Sequence, residues 1–110
     1  MFGGSTGASV PQHWLADAVN IAHPRFDVAQ DGYAVKVFHV SKGYGLPKHQ
    51  HENPHLTFCT AGSCVIRKAG RELVITKDSN PVNLVANEWH EIEALEDGTV
   101  FMNVYAEGKY

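Results

Sequence analysis

Apolar residues along this chain fall into short runs rather than long helical stripes. From residue 25 onward, runs rich in Val, Ile, Phe and Tyr alternate with turn signals every eight to twelve residues, the pattern of a β-sandwich or barrel. The spacing predicts strands over residues 25–29, 33–40, 55–60, 64–68, 72–76, 82–86, 88–94 and 99–106. Turn chemistry separates them at Asp31-Gly32, Thr60-Ala61-Gly62-Ser63, Ala69-Gly70-Arg71 and Glu96-Asp97-Gly98. The turn around Gly62 predicts a hairpin that pairs 55–60 with 64–68. Residues 41–47 and 77–81 read as loops, and the tail 107–110 as loose. In the run 33–40, YAVKVFHV, both faces are largely apolar, so neither is cleanly solvent-facing.

One stretch breaks the pattern. Val10, Trp14, Leu15, Ala18 and Val19 recur at helical spacing, with Ser9 as an N-cap and Pro11 in the first turn. A short helix over residues 10–22 is the expectation, ended by Pro24. Residues 1–9 read as a flexible Gly/Ser lead and residues 10–110 as one domain. With no strand-helix alternation and no internal repeat, the fold class is all-β with one short N-terminal helix.

The chain has 110 residues, 44% of them hydrophobic and 19% charged, with a formal charge of −3. That is enough for one domain around one core. No Lys/Arg cluster suggests nucleic-acid binding. No apolar run approaches a membrane span, and the first residues lack the basic start and apolar core of a signal peptide. The resulting expectation is a cytoplasmic protein with neither nucleic acid nor membrane as partner. Cys59 and Cys64 are then expected as thiols rather than a disulfide. Their C-x4-C spacing lacks the second pair a zinc site would need.

The candidate chemistry lies in histidines. His49, His51 and His55 fall within seven residues of GYGLPKHQHENPHLTFCTAG, which spans Gly43 to Gly62. On a strand, His49 and His51 share a face about 7 Å apart, a workable bite for one metal ion. His55 keeps the same parity but would lie roughly 13 Å further along a straight strand. A bend at Asn53-Pro54 would bring it back. His13 and His23 are expected at the surface. His39 can face either the interior or solvent, and Tyr44 precedes the ligands in a loop.

This stretch resembles the first motif of the cupin superfamily, in which a glycine precedes H-x-H, a glutamate and a second glycine. Gly43, Pro47, His49, His51 and Gly62 fall in register, and His55 stands at the glutamate position. A second cupin motif is degraded to Val85, Asn87 and His90, keeping only its histidine, normally the last ligand. The resemblance covers residues 33–106. It implies a jelly-roll β-barrel of a single cupin unit. It also implies a divalent transition metal (Fe, Ni, Zn, Cu or Mn) held by His49, His51, His55 and His90, and a homodimer paired through sheet edges. Four neutral imidazoles would leave the ion's charge uncancelled and favour an anionic co-ligand.

Two functions follow from the resemblance. One is a metalloenzyme of the dioxygenase, lyase or isomerase type acting on a small oxygenated acid or diketone. The other is a non-catalytic module that binds a metal or small ligand. Phe58, Trp89, Phe101, Met102 and Tyr105 are candidates for an apolar lining, and Glu52, Glu88 and Glu91 for outer partners of the ligands.

Overall fold

The computed structural model describes residues 19–110. Among them are ten strands and no helix: β1 (Asn20–Ile21), β2 (Phe26–Gln30), β3 (Tyr33–Val40), β4 (Tyr44–His49), β5 (His55–Ala61), β6 (Ser63–Lys68), β7 (Arg71–Thr76), β8 (Val82–Leu84), β9 (His90–Ala94) and β10 (Thr99–Ala106). They form two five-stranded sheets, ordered β1-β4-β9-β6-β7 and β2-β3-β10-β5-β8. The jelly-roll expectation holds, but the sheets face each other as a sandwich and do not close into a barrel.

Four local expectations are corrected. The lead 1–9 and residues 10–18 of the expected helix lie outside the described residues. The end of that helix, Asn20–Ile21, is instead a strand parallel to β4. Asn20 N–H donates to Gly43 O at 3.1 Å and Ala22 N–H to Gly45 O at 2.8 Å. The outer edge of β4 offers unpaired carbonyls, and satisfying them outweighs local helical periodicity. For the same reason the expected loop 41–47 is largely strand: β4 finds a partner in β9.

The third correction is the hairpin around Gly62. β5 and β6 belong to different sheets, β5 pairing with β10 and β8, and β6 with β7 and β9. Gly62 turns the chain from one sheet to the other at φ +69°. A side chain there would collide with Thr99, whose Oγ1 lies 2.4 Å and Cα 2.9 Å from the place of a Cβ. Thr99 donates its hydroxyl to Glu96 O at 2.7 Å, so it is fixed from its own side of the corner. Cys59 and Cys64, on either side of this corner, are both buried free thiols.

The core lies between the sheets. Phe38 stacks on Phe101 with centroids 4.7 Å apart, and Val40, Cys59, Cys64, Ile66, Ile75, Leu84, Ile92 and Ala94 pack around them. These residues follow strand parity: Phe38 and Val40 on β3, Cys64 and Ile66 on β6, Ile92 and Ala94 on β9. The same parity carries Lys36, Thr57, Lys68, His90 and Asn103 inward, so one end of the interior is polar. The tail folds over that end: Lys109 N–H reaches Ala106 O at 2.9 Å, and Glu107 is tied to Gly32 through both backbone and side chain. The expected loose tail is therefore ordered.

The crowding at the corner gives a stability prediction. Gly62→Ala should destabilise the fold by about 1–3 kcal/mol, because it combines a left-handed φ with a steric overlap against fixed backbone. Urea unfolding monitored by tryptophan fluorescence should show a lowered midpoint with an unchanged slope; an unchanged midpoint would contradict the assignment of this corner.

Candidate metal centre

Pairing of β4 with β9 puts the first two histidines side by side. Gly45 lies opposite Glu93 and Leu46 opposite Ile92, but His49, not Lys48, lies opposite His90. One extra residue is thus bulged into β4 next to Pro47, which has no N–H to give to the ladder. The bulge reverses strand parity. Leu46 points into the core, and without it His49 would point out. Instead His49 and His90 face each other, with centroids 4.4 Å apart. His51 follows in the next segment, and its own carbonyl accepts from Asn87 N–H at 2.7 Å, binding the loop before β5 to the loop before β9.

Each of these three rings is held at Nδ1 by a backbone carbonyl two residues away. His49 Nδ1 is 2.6 Å from Pro47 O, His51 Nδ1 is 2.5 Å from Asn53 O, and His90 Nδ1 is 2.9 Å from Glu88 O. A carbonyl only accepts, so each Nδ1 carries the hydrogen and each neutral ring keeps a bare lone pair on Nε2. Those lone pairs converge. His90 Nε2 lies 3.1 Å from His49 Nε2 and 3.2 Å from His51 Nε2. Three lone pairs this close repel unless a cation lies between them. Two nitrogens bound to one ion at about 2.0–2.1 Å are themselves about 2.9–3.3 Å apart, so the observed spacing matches adjacent ligands of a metal ion. A proton is a poor substitute. Burial, with His49 next to it, holds the His90 pKa down to about 3, and burial also lowers that of His51. Together His49, His51 and His90 form a group whose donor atoms all lie within 4.8 Å of one another.

His55 is placed differently. It opens β5 and is almost fully buried, at 2% exposure. Its ring stacks on His51 at 4.1 Å and on Tyr110 at 4.4 Å. It lies outside the three-residue donor group, and both of its nitrogens are buried without a hydrogen-bond partner. Burial, reinforced by His51, lowers its pKa to about 4. Asn53-Pro54 does bend the chain as expected, and the bend brings the ring of His55 against that of His51.

Two neighbours were not legible as site residues. Lys68, 5% exposed, pairs across the ladder with His90. Its Nζ donates to Asn83 O at 3.0 Å and sits 3.1 Å from Glu88 Oε1, so it steadies the residue whose carbonyl orients His90. Nothing in the sequence around Lys68 marks it, because its role depends on strand register. Tyr110 covers the ring of His55, packs edge-on to Tyr105 at 4.6 Å, accepts from Asn103 Nδ2 at 3.3 Å and lies under Lys36 Nζ at 4.6 Å. An aromatic residue in a tail was the only available signal.

Of the expected lining residues, Tyr105 stands 5.3 Å from His55, while Phe101 belongs to the core. Phe58 and Met102 pair with each other on the parity opposite to that of the core-facing residues. Glu91 is buried on the outer side of β9, where it binds Arg67 at 2.5 Å. His23, His39, Ser41 and Tyr44 help line a separate cavity of about 340 Å³ that contains none of the four candidate ligands.

No family model and no curated protein sequence matches the chain. Solved structures do. KdgF from Halomonas sp. aligns with a TM-score of 0.67 at 16% identity, over 74% of this chain and 74% of its own. A cupin 2 domain-containing protein from Halorhodospira halophila aligns at 0.68 and 16%, over 77% of this chain and 64% of its own. An RmlC-like cupin with a double-stranded β-helix fold from Methanocaldococcus jannaschii aligns at 0.63 and 15%, over 77% of each chain. At such identities the likeness establishes the fold.

The buried imidazoles set a pH dependence for the metal-free protein. His90 and His55 titrate near 3 and 4 when folded, against about 6.5 in an unfolded chain. Between those values the unfolded state holds more protons, so their neutral forms support the fold fully above about pH 6.5 and progressively less as the pH falls toward 3. Chelator-treated protein should therefore show a urea midpoint that declines steadily from pH 7 to pH 4. A flat profile would contradict the burial of these rings.

Proposed function

We propose that this chain, which has the cupin fold, is a metalloprotein whose His49, His51 and His90 hold a divalent transition ion through Nε2, with His55 as a fourth ligand. The observation that carries this reading is the set of three Nδ1–carbonyl tethers, which leaves three lone pairs facing one another. His55 fits the same ion on a separate ground: both its nitrogens are buried and unpartnered, and a buried polar atom left unpaired costs about 1–3 kcal/mol. A ligand bond would satisfy one of them. Imidazole donors suit zinc, copper, iron or nickel, and the donor set does not choose among them.

We further propose an enzyme acting on a small oxygenated acid or diketone, by dioxygenase, lyase or isomerase chemistry. A bound ion would supply Lewis acidity and a template for the substrate. The chain's own residues support an anionic ligand there. An imidazole ligand binds in its neutral form, so four of them would cancel none of the ion's charge. The Lys36 ammonium lies on the inner face, its charge shared with Asp27 at 2.6 Å. Tyr105 and Tyr110 shield the site from water on the His55 side. A second reading, a non-catalytic metal or ligand-binding module, is favoured by the seating of Tyr110 over His55, which fills space a substrate would otherwise use.

Metal analysis of purified protein tests the centre. His51→Ala should lose bound metal while the far-UV circular dichroism stays that of the parent. Equal metal content in mutant and parent would remove the proposal. His55→Ala should weaken affinity by more than the about 10–100-fold that losing a group merely orienting a ligand costs, as measured by competition with a coloured chelator; unchanged affinity would reduce the centre to three histidines. Cobalt-substituted protein titrated with small carboxylic acids separates enzyme from module. A visible-spectrum change would show an open coordination position, and none would favour the module.

A further inference from the structure

Segment 107–110 brings an aromatic ring into the polar end of the sandwich and holds it there as a bound molecule is held. Tyr110 stacks on His55 with centroids 4.4 Å apart and planes inclined by 29°, and it meets Tyr105 edge-on at 4.6 Å. Lys36 Nζ stands 4.6 Å from the ring centroid. Asn103 Nδ2 donates to the phenol oxygen at 3.3 Å. That amide is aimed from behind: Thr57 donates to its Oδ1 at 2.6 Å, which turns Nδ2 toward the ring. Lys36, Asn103 and Thr57 lie in one row across β3, β10 and β5, so these groups belong to the sheet, whereas the ring they hold belongs to a segment beyond it. The segment is tied by Glu107 N–H to Gly32 O at 3.0 Å and by Lys109 N–H to Ala106 O at 2.9 Å. Both ties come before Tyr110, which is itself 39% exposed.

We propose that the recess under Tyr110 is a binding site for a free ligand with a flat ring and an anionic oxygen, a phenol or an aromatic carboxylic acid, and that Tyr110 is a tethered stand-in which such a ligand displaces. The inference rests on the metal-centre reading for the chemistry done on the ligand, not for its binding, and it names the class of acid taken beside His55. Every contact of the Tyr110 ring is one that a free molecule reproduces: an imidazole face, an aromatic edge, an ammonium and an amide N–H. An anionic oxygen improves on the phenol. A hydrogen bond to a charged acceptor is roughly twice as strong as a neutral one, and the ammonium of Lys36 is already on the inner face. Its counter-charge, Asp27, is 53% exposed and so only partly matches it. Other ligand classes fit less well. An aliphatic acid leaves the faces of His55 and Tyr105 without a stacking partner. A plain hydrocarbon leaves the buried Asn103 Nδ2 without an acceptor, at a cost of about 1–3 kcal/mol. Tethering explains why a neutral phenol holds the recess in the free protein: a side chain on a short segment competes at an effective concentration of about a millimolar. A free ligand then binds with an apparent affinity reduced by the fraction of molecules whose recess is open.

Fluorine NMR of the whole chain carrying 3-fluorotyrosine tests this, with 4-hydroxybenzoate as the probe. The chain has four tyrosines, and Tyr110→Phe identifies the signal of interest. On saturation with the probe, the Tyr110 signal of the parent protein should move to the position of a solvent-exposed tyrosine. By calorimetry, Tyr110→Ala should bind the probe about tenfold or more tightly than the parent, because the tethered competitor is gone. Benzene and cyclohexanecarboxylate should bind Tyr110→Ala about tenfold or more weakly than the probe does. Adding Lys36→Met should cost the probe about tenfold in affinity and benzene nothing. Equal affinity of Tyr110→Ala for benzene and the probe overturns the proposal, since the recess is then a plain apolar cavity. So does a probe that binds without moving the Tyr110 signal, or one that binds neither parent nor variant. Metal content measured on the same samples keeps the two readings apart. Protein that takes up no metal but releases Tyr110 to the probe removes the metal centre and retains the ring site, and metal-loaded protein whose Tyr110 signal stays fixed does the reverse.

Discussion

Three hydrogen bonds from imidazole Nδ1 to backbone carbonyl govern the character of this molecule's polar end. Each fixes a tautomer, and each aims a bare nitrogen at the same point. The acceptors, Pro47 O, Asn53 O and Glu88 O, belong to the segments that carry the histidines themselves. The ring orientations are therefore set locally, within two residues. What the fold adds is convergence. The bulge at Pro47 turns His49 inward, and the bond from Asn87 N–H to His51 O closes the gap between the two loops. Lys68 then braces Glu88 from the neighbouring strand. A cation between the rings would turn an electrostatic conflict into the strongest set of contacts in the domain.

A sandwich with a cluster of histidines at one end makes part of its interior polar, and most of the polar groups there are paired. Thr57 donates to Asn103 Oδ1 at 2.6 Å, Asn103 donates to the Tyr110 hydroxyl, and Lys36 is held by Asp27. The conspicuous exception near the histidines is His55, with two unpaired nitrogens. Glu88 Oε1 and Glu91 Oε1 are likewise without a hydrogen bond, but each faces a cation, Lys68 or Arg67, beside its carboxylate. The other end of the interior has no such demands and is filled by stacked Phe38 and Phe101 with aliphatic neighbours.

Polarity drawn inward on one sheet leaves apolar residues on its outside. Along β3, alternation assigns Lys36 to the interior and Val35 and Val37 to the surface, the reverse of a solvent-facing sheet. The absence of a clean polar face in YAVKVFHV is thus not noise in the pattern. It records a strand whose inward positions turn polar beside the histidine cluster while its outward positions stay apolar.

Strand periodicity in the chain was enough for the all-β class and the positions of most strands, and the motif resemblance pointed to the jelly-roll arrangement and to the three histidines that meet, His49, His51 and His90. These follow from local periodicity and from motif spacing, which the chain carries residue by residue. Tertiary structure alone decided the rest. Gly62 proved to be a passage between sheets because β5 finds its partners in β10 and β8 and β6 finds its own in β7 and β9. Residues 44–49 became a strand, and 20–21 another, because free ladder edges were waiting for them. Lys68 and Tyr110 joined the site, and His55 came to rest against His51, through register and chain return. Contacts of that kind depend on which distant backbone groups are left unpaired, and no local pattern of side chains encodes it.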